Sequence, residues 1–586
     1  MASYLIEPVD RLPFGGPDKA RRYATGRYPG AAGLNWYGSD PTLRFLMRRH
    51  LGADALEWAE PHLRRAGALM SGPILEHAEE TDRNPPRLER YDRWGHEVGR
   101  IVMPPSFEAA RRDLVAGAFT RPEFVREAKA AGADPVTMGL AWNYLLYQAD
   151  IGMGCALGTG GDMVVLMAEA FAPQDVKERV REIFADGMFS GEAAQMFTER
   201  TGGSDLAALE STATPAGDAW RLNGLKWFAS NANGSAFVVL AKPEGGPDGS
   251  RGVAPFLVLR ERRDGGRNGI RVRRLKDKLG TRSVASAEIE FTDAEAFLLA
   301  PGSGDGGAGD GKGLGRMMEL TNGARLGIAT MGLGCARRAL VESLCYARGR
   351  EAFGAALIDQ PLMRRKLAEL IVEVEAAQAL VFDGFHNRLR LGPALIKLRA
   401  ARLGVTAASD AIEVHGGNGY IEQWPVARIL RDAQVNPVWE GGDNILCLDV
   451  RRAVERDQHL PFFDRLAEAV RHAPPGDDPT AQLVSDRIDR LREAVGLWRG
   501  LDPVTAEARL FPLAQFMADV YAAALLLEQA GWERRELGTD RKALVARLYA
   551  RAHLADHGPL RGIDHVAEDL DRFKDLADGA LADDRP

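Results

Sequence analysis

The stretch NPVWEGGDN, residues 436–444, places one acid, Glu440, between an aromatic and two glycines. Glutamates ordinarily sit on solvated helix faces. Here Trp439 precedes the carboxylate, and Gly441 and Gly442 strip the next two positions of side chains. Two readings fit these residue types. One is a Gly-rich turn that happens to contain an acid. The other is a general base, with the indole excluding water and so raising the carboxylate's basicity, and the glycines letting a ligand approach the main chain.

Other stretches carry polar or flat groups suited to a cofactor. MFTERTGGSDL (196–206) offers the hydroxyls of Thr198 and Ser204, and Gly202 and Gly203 allow backbone amides to face a phosphate or a flavin edge. Its plain reading is a polar strand-to-turn junction. GLKWFASN (224–231) sets Trp227 and Phe228 beside Ser230, which can back an isoalloxazine ring or belong to an ordinary strand core. In ARGREAFGAALIDQP (347–361), Arg350 and Phe353 are spaced one helical turn apart and Gln360 follows. Arg pairs bidentately with a pyrophosphate, or caps helix carbonyls. HGGNGY holds paired glycines that let a nucleotide contact the main chain, beside His415, a lone histidine with no second ligand at metal spacing. That histidine reads as structural, and no metal site is expected. Arg325, in TNGARLG, either steers a carboxylate such as Glu440 or is a satisfied interhelical Arg.

These residues need elements to hold them. Residues 1–190 read as a helical domain, with apolar positions at helical spacing in PEFVREAKAAGADP and QDVKERVREIFADGMF and proline-rich breaks at DRNPPRLER and RIVMPPS. From 191 to 305, short β-branched or alternating runs separated by PEGGPDGS and DGGRNG predict a small β domain. PGSGDGGAGDGKGLG (301–315) is too glycine-rich to pack and reads as a mobile connection. Long helical patterns over 312–455 predict a bundle, and 459–586 reads as a further helical appendix. The order helical, β, helical, helical is uncommon.

A chain of 586 residues needs several cores, and 45% hydrophobic with 27% charged residues is the balance of a soluble globular protein. A formal charge of -7 argues against a general polyanion binder. Four cysteines without CxxC or CxxH spacing disfavour a zinc site and a disulfide scaffold, and suit a reducing cytoplasm. MASYLIEPVDRLPFGG has no basic start followed by an apolar run, so no secretory leader is expected. VYAAALLLEQA is too short for a membrane span, and no longer apolar run is expected.

Taken in order, FTERTGGSD, GLKWFASN, RLKDKLGTRSVASAEIEF, RGREAFGAALIDQ, HGGNGY and RDAQVNPVWEGGDN resemble the acyl-CoA dehydrogenase family of flavoproteins over residues 190–455. LIDQPLMR, VNPVWEGGDNILCLDVRR and the appendix are most similar to the branch typified by the alkylation-response protein AidB. The resemblance implies an N-terminal helical domain, a β-barrel-like middle domain and a C-terminal four-helix bundle, assembled as a homotetramer or homodimer. It implies one FAD per subunit, an acyl-CoA substrate, and an electron-transfer flavoprotein as electron acceptor. Glu440 matches the family's base, which abstracts the α-proton while flavin N5 takes the β-hydride. The alternative position for a base, around Arg325, reads NGAR and offers no acid.

By motif match, Met196 and Thr198 contact the flavin, with Gly203 and Ser204 beside it. Phe228 replaces the usual tryptophan and Ser230 the usual threonine near N5, while Arg350, Phe353 and Gln360 reach FAD across a subunit interface. Glu413 and Gly417 hold the place of a glutamine and a glycine near the cofactor, and Asn444 that of an adenosine contact. Glu413 brings a negative charge toward a pyrophosphate, and Gly442 lacks the hydroxyl of the family's EGT. Members of the AidB branch have also been linked to DNA protection. In 459–586 acids outnumber bases, which disfavours contact with phosphates, although WERRELGTDRKALVARLYARAH is locally basic. A third reading is a structural flavoprotein whose appendix serves assembly.

Overall fold

The structure is a computed structural model that describes residues 30–31, 33–301, 310–476, 478–558, 561, 563 and 566–585. The N-terminal stretch read for a leader, and positions 302–309 of the glycine-rich connection, lie outside the described residues. The end of that connection is not a loop. Gly313 starts the long helix Gly313–Gly349, and a Cβ there would lie 2.7 Å from Pro255 Cδ, so the glycine permits close packing.

Helices from Pro41–Leu51 to Gln174–Ile183 form the first part of the chain. Where proline-rich breaks were expected, RLERY and EVGRIV pair as an antiparallel hairpin, β1 (Arg87–Tyr91) and β2 (Glu97–Val102). The prolines at 85–86 and 104–105 bound the hairpin rather than interrupt it.

The β domain contains β3 (Ala193–Met196), β4 (Thr212–Ala216), β5 (Ala219–Ala229), β6 (Ala236–Pro243), β7 (Ala254–Leu259), β8 (Ile270–Leu275) and β9 (Ala287–Leu298). Pairing runs β6-β4-β5-β9-β7 and returns from β7 to β6, so five strands close into a barrel; β3 joins parallel to β6 and β8 pairs with β9. Closure leaves no open edge among those five. Trp220, Phe237, Phe256 and Phe291 fill the barrel. Its outer face is also covered, because Met163, Met167, Val176 and Val180 of the preceding helices pack on Val238, Leu240 and Leu257. That double burial explains why β6 and β7 are almost continuously apolar.

The helices Gly313–Gly349, Pro361–Asn387, Gly392–His415 and Asp443–Glu455, with the short Pro425–Ala433, form the bundle. Glycines bring the first and third together: a Cβ on Gly332 would meet the Ala400 carbonyl oxygen at 2.4 Å, and one on Gly404 the Gly332 carbonyl oxygen at 2.7 Å. The appendix, from Leu460–Arg471 to Phe573–Ala580, is joined to the bundle by buried ion pairs: Lys542 and Arg541 with Glu375, and Arg465 with Asp383.

Among the described residues, two stretches are long and apolar enough to cross a membrane, contrary to the sequence expectation: Ile151–Phe171 and Leu510–Glu536, with mean hydropathy 1.5 and 1.7. Both are 72% buried in the fold. The first is broken by left-handed Gly160 into two helices, and the second is the core helix of the appendix, so both serve as packing elements here.

Candidate functional site

Glu440 sits in the turn between the helices Pro425–Ala433 and Asp443–Glu455. Its backbone is left-handed, φ 55°, and Gly441 follows at φ 95°. A glutamate rarely adopts that region, so the surrounding contacts must hold it there. A Cβ at 441 would meet Ile445 Cγ2 at 3.0 Å, so position 441 requires glycine on both conformational and steric grounds. Two cations clamp the turn by its carbonyls. Arg325 Nε donates to the Glu440 oxygen at 3.4 Å, and Lys397 Nζ to the Gly441 oxygen at 2.6 Å. Arg325 is itself oriented by Asp449, 2.8 Å from Nη1, and Asp449 is shared with Arg390.

The Glu440 carboxylate points the other way, across to the β domain, where Gln195 Nε2 donates to its Oε1. Burial raises the Glu440 pKa above the ordinary carboxylate value, against the pull of Arg325, Lys397 and the Gln195 hydrogen bond. Burial also drives Lys397 down to about 8, assisted by Arg325. Arg325 therefore hydrogen-bonds the Glu440 peptide and acts on the carboxylate through its charge alone. Trp439 packs half-buried on the bundle core, its indole N–H donating to Asn436 Oδ1 at 3.3 Å.

The strand side is built on a buried pair. Lys226, from β5, is fully buried against Glu199, and its Nζ donates to the Leu240 oxygen at 2.6 Å. Glu199 accepts in turn from the Ser211 hydroxyl and the Glu210 amide. This pair fixes the loop carrying Thr198, Gly203 and Ser204, and Trp227 N–H closes it onto the Thr198 oxygen at 2.8 Å. A Cβ on Gly203 would lie 2.8 Å from Thr198 Oγ1, so the loop is pressed flat there. The Met196 side chain belongs to the barrel core. Phe228 is 49% exposed at the barrel mouth, and Ser230 Oγ lies 3.2 Å from Ser286 Oγ.

A third group lies apart. Arg350 ends the helix Gly313–Gly349, and the chain then forms the small hairpin Glu351–Ala352 with Ala355–Ala356. Arg350 and Phe353 are therefore not successive turns of one helix, as their spacing had suggested. Phe353 is left-handed, φ 54°, and 98% exposed, while Gln360 Nε2 braces the hairpin on the Ala352 oxygen at 3.1 Å. Glu413 is exposed and pairs with Lys366 at 3.5 Å. Gly417 lies in the 3-10 turn Gly416–Tyr420, ending on an exposed Tyr420, and Asn444 is exposed on the first turn of Asp443–Glu455. His415 is buried against Tyr346 and bonded to the Ala411 oxygen at 2.7 Å, a structural role.

Sequence reading missed Gln195, Lys397, Lys226 and Glu199. Each acts through a partner far away in the chain. The available signal was a lysine at position 397 within an otherwise apolar run, ALIKL.

Three family profiles match the chain: AidB N-terminal domain over 27–182, acyl-CoA dehydrogenase middle domain over 194–294, and acyl-CoA dehydrogenase C-terminal domain over 311–455. The chain is 30% identical to AidB of Escherichia coli (strain K12) over 409 residues, covering 66% of this chain and 72% of that protein. Among solved structures, Caenorhabditis elegans ACDH-11 in complex with C11-CoA superposes with a TM-score of 0.80 at 24% identity, covering 91% of this chain and 94% of that one. An acyl-CoA dehydrogenase complexed with FAD from Bacillus anthracis superposes at 0.66 with 17% identity, covering 89% and 94%. At these identities the two structures establish the shared fold: helical, β and helical domains in that order. From its three matched domains and its likeness to AidB, the chain belongs to the acyl-CoA dehydrogenase family.

Proposed function

We propose that the protein binds FAD and dehydrogenates an acyl-CoA thioester between its α and β carbons, with Glu440 as the base that takes the α-proton. The observation carrying this reading is the geometry of Glu440. A left-handed turn, clamped by two buried cations, presents a half-buried carboxylate to the junction between the bundle and the β domain. A carboxylate is a weak base for a carbon acid, and burial brings its proton affinity closer to that required.

The residues fit a flavin. Phe228 offers a flat half-exposed face with the Ser230 hydroxyl beside it, and in the loop at 196–204 Gly203 lies so close to Thr198 that a side chain there would clash. The main chain at Met196, Thr198, Gly203 and Ser204 would hold the ring system, and Asn444 the adenosine. When bound, the flavin supplies the acceptor for the β-hydrogen. Phe353, almost wholly exposed on a braced hairpin, supports a second copy of the chain completing the site with Arg350, Phe353 and Gln360, and with Glu413 and Gly417 near the cofactor. We assign the assembly to a homodimer or homotetramer, and the electron acceptor to an electron-transfer flavoprotein.

Two features of the appendix weigh against DNA binding as the main role: its excess of acids over bases, and its use of cations such as Lys542 in buried pairs. Anaerobic mixing of the holoprotein with acyl-CoAs of increasing chain length tests the proposal. At least one should bleach the flavin band; a panel that leaves the oxidised spectrum unchanged would overturn it.

A further inference from the structure

Glu440 has two kinds of anchor. Its peptide is held from the bundle side by Arg325 and Lys397, which bond to the carbonyls of 440 and 441. Those contacts fix the turn but leave the side-chain torsions free. Among the described residues, the hydrogen bond that orients the carboxylate comes from Gln195, 245 positions away in the chain.

Gln195 is firmly aimed. It lies on β3, in register with Val238 of β6. Its neighbours Ala194 and Met196 point into the barrel core, so strand alternation turns Gln195 to the opposite face, toward the bundle. Asn231 Nδ2 bonds the oxygens of Gly191 and Ala193 at 2.8 and 2.7 Å, which fixes the start of the strand.

We propose that Gln195 is a positioning residue for the base, aiming the Glu440 carboxylate across the domain junction and favouring its ionised form before substrate arrives. This rests on the assignment of Glu440 as the base. An amide suits the task. Its N–H donates to a carboxylate without adding a charge that would quench the base, and after proton uptake the amide can turn its oxygen to accept from the acid.

The other groups around Glu440 are accounted for. Arg325 and Lys397 favour its charge. Cys155, from the helix Ile151–Gly158, faces it as a neutral thiol, pushed up by burial to about 11. Asp443 and Arg402 act on Lys397, and Asp449 and Arg390 lie behind Arg325. Gln195 is the member of the set that hydrogen-bonds the carboxylate, and it does so without a charge.

The test uses full-length holoprotein with Gln195→Met, which removes the donor and keeps the length, and Gln195→Glu, which sets a second carboxyl against the first. The Glu440 carboxyl band is titrated by infrared difference spectroscopy, identified by its loss in Glu440→Gln, and the pH profile of flavin bleaching is recorded beside it. Gln195→Met should raise the Glu440 pKa by about one unit, the worth of a hydrogen bond to a charged acceptor. Its bleaching rate should fall about tenfold below that pKa and recover above it. Gln195→Glu should move the titration further in the same direction. A residue with only a structural role would lower the rate at every pH and leave the titration in place. An unmoved carboxyl titration in Gln195→Met overturns the proposal; should that variant fail to fold, an unmoved titration in Gln195→Glu does so. If none of the acyl-CoAs bleaches wild type, the reaction assignment fails, while the infrared titration still decides on Gln195.

Discussion

Arg325 meets Glu440 at its carbonyl oxygen, 3.4 Å from Nε, while the same guanidinium holds Asp449 at 2.8 Å. The arginine thus ties the Glu440 peptide to the helix Asp443–Glu455, and adds a positive charge that offsets part of the burial penalty on the carboxylate. Arg325→Met removes both effects. Asp449 keeps Arg390 at 2.6 Å, so the cost in stability should be about 2–3 kcal/mol rather than that of a bare buried charge. The acid limb of the bleaching profile should move to higher pH, because the base must be ionised and burial then acts with less opposition. The maximal rate should fall at least tenfold with little change in KM, as expected when an interaction made in the transition state is lost. A changed KM with an unshifted limb would contradict this role.

Gly442 is the N-cap of the helix Asp443–Glu455, with extended backbone at φ -71° and no side-chain cap. A Cβ there would find its nearest neighbour at 3.6 Å, the Pro437 oxygen, which is ordinary contact. Gly442→Thr should therefore be accommodated and stabilise by a few tenths of a kcal/mol, since a hydroxyl can cap the free amides of the first turn. The same hydroxyl should slow FAD loss on dilution. A drop in Tm together with faster FAD loss would contradict both expectations.

Burial holds three lysines at about 8: Lys226, Lys278 and Lys397. From pH 8 up to the ordinary lysine value the unfolded chain binds protons that the folded chain has released, so these groups make stability rise with pH across that window. Unfolding at pH 9 should then take up nearly one proton per lysine. In Lys397→Met the uptake, followed with an indicator dye in weak buffer, should be smaller by close to one. Equal uptake in the two proteins would show that Lys397 is charged in the fold.

Much of the architecture was legible because it follows from local pattern. Short β-branched runs between glycine turns gave the barrel strands, and an acid flanked by Trp439 and two glycines marked the turn that carries it. The hairpin Arg87–Tyr91 with Glu97–Val102 was hidden because its alternation is polar on both faces, and flanking prolines resemble breaks. Gln195 and Lys397 were hidden for a different reason. Their meaning lies in a carboxylate and a carbonyl brought together only when the β domain meets the bundle. The place of Phe353 at a hairpin tip was hidden, since helical spacing and a turn after a helix end look alike over four residues.

Buried ion pairs add to a shared apolar core in holding the appendix to the bundle. Burial opposes ionisation of Glu375, yet Arg541 and Lys542 hold its carboxyl down at about 2. That stability is present above the ordinary carboxylate range and is lost as pH falls through about 2. Ending the chain at residue 458 strips Glu375 of both cations and Asp383 of Arg465. Leaving such charges buried and unpaired costs about 3–5 kcal/mol each. The truncated protein should be insoluble, or melt far below wild type. A truncation with wild-type Tm would show that the appendix is an independent attachment.

In the proposed reaction the side chain at 440 removes the proton that starts it. Stopped-flow absorbance of flavin-loaded Glu440→Gln, mixed anaerobically with the acyl-CoA that bleaches wild type fastest, reads it directly. A normal oxidised flavin spectrum, retained cofactor and no bleaching over many wild-type half-times are expected. Bleaching at the wild-type rate would mean that another group takes the proton.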